Sequence, residues 1–254
     1  MKIGIIGAMP QEIDRIREAF VTEATTRIAN RTYHEGRFAG AECILVFSRW
    51  GKVAAASTAT TLIERFGVDM IVFTGVAGAV SAELNVGDVV IADRLLQHDF
   101  DVSLSGLAAR FEIPLLGISH FHVDAILVDF AREAAEYYLT GMNESVHVGT
   151  IASGDQFIAH PDKLEELRSA IPGLLCVEME GAAVAQVCHE YKLPFLVIRT
   201  ISDKADHSAP VDFMTFIQEI AREYSHGILE RLIPMLSNHR QHGIEPATAN
   251  VIAV

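Results

Sequence analysis

Four charged side chains stand at or near the ends of two apolar runs in the second half of this chain. Glu178 and Glu180 close the run 174–177, while Arg199 and Asp203 lie within and at the end of 195–203. Between the runs, Val184, Val187, Cys188 and Tyr191 recur at i, i+3, i+4 and i+7, one stripe of a helix that Pro194 stops. A strand–helix–strand unit of this kind brings both strand ends to one edge of a sheet, where open α/β folds bind ligands. A fifth candidate, Glu12, falls in the first turn of a helix opened by Pro10, where an acid also suits the helix dipole. If 177–180 is extended, Glu178 and Glu180 point to one side and Met179 to the other. Two acids that close stay ionised only if a cation or hydroxyl donors hold them, and either Arg199 or the hydroxyls of a sugar would serve. Each acid alone reads more readily as an ordinary helix-end or surface residue. It is the joint pattern that points to proton transfer and hydroxyl binding.

Other chemistries find less support. The 11 histidines are scattered, and neither His-Glu-x-x-His nor Cys-x-x-Cys occurs, so no metal is expected. There is no Gly-x-Ser-x-Gly elbow for a covalent acyl mechanism. Gly4-x-x-Gly7 and Gly75-x-x-Gly78 follow strands, but neither is a dinucleotide fingerprint or a P-loop. Such glycines allow close backbone approach to a ligand, or simply make tight turns.

The elements that must position these residues alternate along the chain. Residues 2–6 form an apolar strand rather than a signal segment, because no small-residue cleavage site follows. Next comes a helix with Ile13, Ile16 and Phe20 inward, then two strands around Gly40 within 30–48. Gly51 opens an Ala/Thr-rich helix to Phe66, and 70–73 is a buried strand ending in Thr74-Gly75-Val76-Ala77-Gly78. Residues 86–92 and 146–152 read as strands, 123–139 and 161–170 as helices, and 94–122 as a long irregular excursion. A final helix covers about 212–232 and stops at Pro234. The pattern predicts a three-layer α/β/α sandwich with a central mixed, largely parallel sheet, one domain over 1–236 and a C-terminal tail, 237–254, outside the fold.

Composition fits that size. The chain has 254 residues, half of them hydrophobic, and a net charge of −13 with no basic cluster, which disfavours nucleic-acid and anionic-membrane partners. The three cysteines, Cys43, Cys176 and Cys188, lie in or beside apolar stretches and read as free thiols of a cytoplasmic protein.

Several motifs follow one another in order and spacing. They begin with Gly4-Ile5-Ile6-Gly7-Ala8-Met9-x-x-Glu12, Gly51-Lys52-Val53-Ala54-Ala55-Ala56, Thr74-Gly75-x-Ala77-Gly78 and Gly87-Asp88. They continue with His98-Asp99-x-Asp101-Val102, Ser153-Gly154-Asp155-x-Phe157-Ile158, Val177-Glu178-Met179-Glu180 and Ile201-Ser202-Asp203-x-Ala205-Asp206. Over about residues 1–235 the chain resembles the bacterial 5′-methylthioadenosine/S-adenosylhomocysteine nucleosidases of the purine nucleoside phosphorylase superfamily. The resemblance implies a nucleoside phosphorylase/hydrolase-like fold, a homodimer, no cofactor, and hydrolysis of the N-glycosidic bond of a 5′-modified adenosine to release adenine.

By the same resemblance, Asp203 is the general acid toward the leaving purine and Glu12 generates the nucleophile from water. Glu180 and the Met179 backbone hold the ribose hydroxyls, and Arg199 helps position the water. Phe157 and Ile158 form the adenine site, and Phe213 a wall of the sugar pocket. Val76, Ala77, Gly78, Glu178 and Ser202 complete the substrate-binding set, with Trp50 near the 5′-substituent. An acid on the leaving-group side and a base across the ring, with water between, is the arrangement of an inverting glycosidase.

Three departures touch the 5′ end of the substrate. Val76 stands where many members carry serine, Trp50 where they carry a small aliphatic residue, and 103–118 lacks the usual aromatic-rich character. Methylthioadenosine, adenosylhomocysteine, 5′-deoxyadenosine and aminodeoxyfutalosine all stay open as substrates. A phosphorylase using phosphate is the nearest alternative, but the places of its Arg and Ser are held by Phe73 and Val76. A non-catalytic nucleoside-binding protein on the same fold is the other.

Overall fold

The computed structural model describes residues 1–205, 209, 213, 214, 216 and 221–241. Asp206, Asp212 and 242–254, named above, lie outside the described residues.

Along β1 (Lys2–Gly7), Ile3 and Ile5 enter one core and Ile6 the opposite one; β4 (Ala41–Phe47) splits Cys43 and Leu45 from Ile44 and Val46 in the same way. Strands buried on both faces need a helical layer on each. One layer is α1 (Pro10–Ala19), α3 (Ala125–Tyr138) and α6 (Ala221–Gln241); the other is α2 (Lys52–Phe66) and α5 (Gly181–Tyr191). The chain is therefore the expected three-layer α/β/α sandwich.

The sheet is mixed and partly closed. β1 pairs in parallel with β4 and with β5 (Met70–Ala79), and β5 in parallel with β10 (Phe195–Asp203). β10 meets β6 (Val89–Gln97) antiparallel, β6 meets β8 (Val146–Ser153) in parallel, and β8 meets β9 (Leu174–Glu178) in parallel. β9 then returns to β5, antiparallel, through Gly78 opposite Val177 and Ala79 opposite Cys176. Five strands thus close on themselves, while β3 (Arg31–Phe38) and β2 (Val21–Ile28) extend the sheet beyond β4. Closure gathers the last residues of β5, β9 and β10 at one place.

Several elements differ from the expectation. Residues 74–78 are not a turn, because β5 runs unbroken through them to Ala79. β2 is an additional strand, missed because its side chains are almost all exposed and show no apolar alternation. β6 continues to Gln97, which shortens the irregular excursion, and a two-residue strand, β7 (Phe121–His122), pairs with β6 near its end. Tyr191 leaves the inward stripe of α5 and is exposed, while Ala182, Ala183 and Ala185 join the buried face. Pro234 does not stop the last helix; α6 continues through it and past residue 236 to Gln241. A proline inside a helix costs about 3 kcal/mol, and burial of Leu232, Ile233 and Leu236 around it offsets that. α4 (Pro161–Ala170) lies where the sequence places it. Among the described residues, no helix is long and apolar enough to cross a membrane.

Candidate active site

Glu12 lies in the first turn of α1, and its carboxylate folds back over the β1–α1 turn. Oε2 accepts from the amides of Ala8 (2.6 Å) and Met9 (2.9 Å), and Oε1 from the amide of Val76 on β5 (3.1 Å). The side chain is buried, which raises its pKa against the pull of the Arg199 charge and those amides. Gly75 makes the space: a Cβ there would stand 2.7 Å from Glu12 Oε1.

Asp203 ends β10 after a bulge and is buried. Its Oδ1 accepts from the amide of Ala205 at 2.8 Å, and Ser202 Oγ lies 2.8 Å from Oδ2. Gly78 clears room for this acid as Gly75 does for the other, since a Cβ on Gly78 would lie 2.9 Å from Asp203 Oδ1. The two glycines therefore serve carboxylate placement inside a strand rather than turn formation.

Glu178, at the end of β9, is saturated with donors. Oε2 accepts from Arg199 Nη2 (2.6 Å) and from the amides of Glu180 (3.1 Å) and Gly181 (2.8 Å). Oε1 accepts from Gly181 (3.0 Å) and from Ser153 Oγ. Arg199 is fully buried, with its guanidinium 4.2 Å from the centre of the Phe73 ring and donating to the carbonyls of Phe73 and Ile198. Burial works against its charge, yet Glu178 and Glu12 hold its pKa above the ordinary value.

Glu180 is the N-cap residue of α5, outside β9, and its backbone is not extended, with ψ of −40°, so the condition of an extended 177–180 is not met there. Its Oε1 accepts from the amide of Gly51 at 2.7 Å, the N-cap of α2. Burial, then repulsion from Glu178, pushes its pKa up to about 8.

These groups face one cavity, and a cleft with a few convergent polar groups is where a small molecule binds. Glu12, Glu178, Glu180, Asp203 and Ser202 supply its polar wall. Val76, Ala77, Gly78, Met179, Ile158 and Phe213 line it as the sequence suggests, with Trp50 and Phe157, both about half exposed, also on the wall. Phe157 meets Phe213 edge to face, 5.6 Å between centres. Arg199 is the exception, lying behind Glu178 and off the wall. Ala8, Met9, Gln156 and Val177 also line the cavity and were not anticipated. Ala8, Met9 and Val177 are small or apolar and carry no chemical signature, and a lone Gln156 is not distinguished from a surface amide. Among the described lining residues there are four acids and no Lys, Arg or His.

Comparison with known proteins agrees with this fold. Residues 2–234 match the model of the phosphorylase superfamily. The 5′-methylthioadenosine/S-adenosylhomocysteine nucleosidase of Haemophilus influenzae is 38% identical over 232 residues, which span 91% of this chain and 99% of that protein. The crystal structure of the Neisseria meningitidis 5′-methylthioadenosine/S-adenosylhomocysteine nucleosidase, in complex with methylthio-immucillin-A, superposes with a TM-score of 0.86 at 35% identity, covering 92% of this chain and 99% of that one. A futalosine hydrolase of Helicobacter pylori is similar too, with a TM-score of 0.84, 35% identity, and coverage of 92% and 98%. With its fold, its acid-lined cavity and these likenesses in agreement, the chain belongs to the phosphorylase superfamily and, within it, to the 5′-methylthioadenosine/S-adenosylhomocysteine nucleosidase family.

Proposed function

We propose that this protein hydrolyses the N-glycosidic bond of 5′-modified adenosines and releases adenine. The observation that carries the reading is the meeting of Glu12, Glu180 and Asp203 in one cavity, two of them made room for by glycines within a strand. In this reading Asp203 donates a proton toward the leaving purine, and Ser202 orients its carboxyl. Glu12, made more basic by burial and aimed by three amides, takes the proton of the attacking water. Glu180 and the Met179 backbone hold the ribose hydroxyls while positive charge develops on the sugar. Phe157 and Ile158 flank the purine, and Phe213 closes the sugar side. Arg199, buried behind Glu178, shapes the field at Glu12 rather than touching substrate. All this chemistry proceeds by proton transfer between side chains, water and substrate, with no cofactor.

Water rather than phosphate suits this wall. A phosphate dianion needs cations or a nest of donors, whereas the described lining is acidic and Arg199 is already engaged by Glu178. Incubation of the enzyme with methylthioadenosine in phosphate-free buffer is expected to release adenine and the free sugar. Formation of a sugar 1-phosphate, with no reaction when phosphate is left out, would overturn the hydrolytic reading.

The same reading makes the protein a cytoplasmic homodimer of one domain, whose last helix runs beyond residue 236 to Gln241. Three buried free thiols support the compartment. Exposed Leu104, Leu107 and Leu115 in the irregular excursion support a second copy packing there.

A further inference from the structure

Phe157 is 48% exposed, so packing alone does little to fix it, and its place on the cavity wall is set by the backbone just before it. That backbone is tied down twice at Asp155. The Asp155 carboxylate accepts the amide of Lys52 at 2.8 Å, and the Asp155 amide donates to Asp99 Oδ2 at 2.9 Å. Asp99 Oδ1 in turn takes Lys52 Nζ at 2.6 Å, which closes the circuit. Lys52 Nζ also donates to Gln97 Oε1 (2.9 Å), and Gln97 Nε2 to Gln186 Oε1 (2.7 Å), so the circuit is anchored to β6 and α5. The Lys52 and Asp99 side chains are only 17% and 18% exposed, so solvent screens this pair less than a surface one. Burial disfavours the Asp99 charge, but Lys52 and the Asp155 amide overcome that and hold its carboxyl below the ordinary value.

The circuit touches the ribose side as well. Gly51, adjacent to Lys52, gives its amide to Glu180, and its φ of 91° is open to glycine and few others. A Cβ there would also stand 3.0 Å from Asp155 Oδ1. One turn of α2 therefore positions both a sugar-facing acid and the segment that bears Phe157 and Ile158.

We propose that Lys52 and Asp99 are positioning residues, which, through the closed circuit with Asp155, hold segment 155–158 as the wall against which the purine is bound. The proposal rests on the reading of Phe157 and Ile158 as that wall. Loss of the circuit loosens a binding surface and leaves Glu12 and Asp203 with their own donors, so binding should suffer more than chemistry.

The test compares Asp99→Ala, Asp99→Asn, Lys52→Met and the Lys52→Met/Asp99→Ala pair in two assays. One is methylthioadenosine hydrolysis. The other is adenine titration read by fluorescence of Trp50, the single tryptophan, which lies on the cavity wall beside Gly51. Expected for Asp99→Ala is a KM and an adenine Kd each raised roughly tenfold, as for loss of charge-assisted hydrogen bonds, with kcat within about threefold of wild type. Asp99→Asn, which keeps an acceptor for the Asp155 amide, should recover part of the loss. The double variant should be no worse than the worse single, because both break one circuit. KM and Kd within about twofold of wild type in both Asp99→Ala and Lys52→Met, a fall in kcat alone, or losses that multiply in the pair would overturn the proposal. If Asp99→Ala does not fold, Asp99→Asn and Lys52→Met carry the same comparison. A wild-type enzyme that releases no adenine would sink the hydrolase reading, while the adenine titration would still judge the circuit.

Discussion

Gly75 on β5 and Glu12 on α1 are so close that a methyl group on residue 75 would stand 2.7 Å from the Glu12 carboxylate. Glu12 cannot simply swing aside, because three amides, two from the β1–α1 turn and one from within β5, hold both of its oxygens. Gly75→Ala is therefore expected to move the base while leaving the fold of β5 intact. A displacement approaching 1 Å at a reacting group costs about a hundredfold in rate, and the loss should fall on kcat rather than KM. Stopped adenine-release assays with circular dichroism check this; an alanine variant with near-normal kcat would show that Glu12 is not the base.

Asp203 offers a cleaner separation of chemistry from structure. Asn at 203 can still accept from the Ala205 amide, but it has no acidic proton to give the purine. General acid catalysis contributes about 10²–10⁴-fold, so Asp203→Asn should lose that much of kcat and keep a normal Tm and adenine affinity. Turnover like that of wild type would remove Asp203 from the mechanism.

Glu180 links the site to stability. Its pKa rises from the ordinary 4.5 to about 8 on folding, first through burial and then through repulsion from Glu178. The folded state thus holds a proton that the unfolded chain releases above 4.5. Stability from this group is fully present below that value and lost as pH rises toward about 8. Denaturant melts of the ligand-free protein across this window should show stability falling with pH. Glu180→Gln should flatten the slope without abolishing it, since burial also raises the pKa of Glu12. An unchanged slope in that variant would place the titrating proton elsewhere.

Much of this was legible in the sequence, and what was not has physical reasons. Unbroken apolar runs marked β1 and the start of β10, both buried along nearly their whole length, and Gly51 marked the opening of α2. Thr74-Gly75-Val76-Ala77-Gly78 looked like a turn because two glycines in five residues usually signal one. Their true cause lies at Glu12 and Asp203, on other elements, and no local reading reaches it. The closing of β9 onto β5 is likewise a pairing of distant segments. Arg199 was read in two ways, as a cation that could hold the paired acids and as a group beside the water. Glu178 claims its guanidinium, in line with the first, and Arg199 lies off the cavity wall. The acids themselves were readable because a carboxylate beside a buried strand needs a reason to be there.

The resemblance places two departures of this chain, Trp50 and Val76, at the 5′ end of the substrate, and Trp50 is the side chain to test. Its indole is 60% exposed and lines the cavity, and its backbone sits between two residues of positive φ, Arg49 and Gly51, which fixes the direction of the chain there. Val76 joins Met9, Phe213 and Phe216 in an apolar cluster, so that neither Trp50 nor this cluster offers a hydroxyl or charge to a polar 5′ group. A bulky ring and an apolar cluster should favour the compact methylthio group over the long zwitterionic chain of adenosylhomocysteine. Trp50→Val is then expected to raise kcat/KM for adenosylhomocysteine relative to methylthioadenosine by about tenfold, the scale on which pocket size alone discriminates. Val76→Ser should shift the ratio in the same direction by a smaller factor, through one added hydroxyl. Measured ratios that stay at the wild-type value in both variants would mean that the 5′ group is read elsewhere.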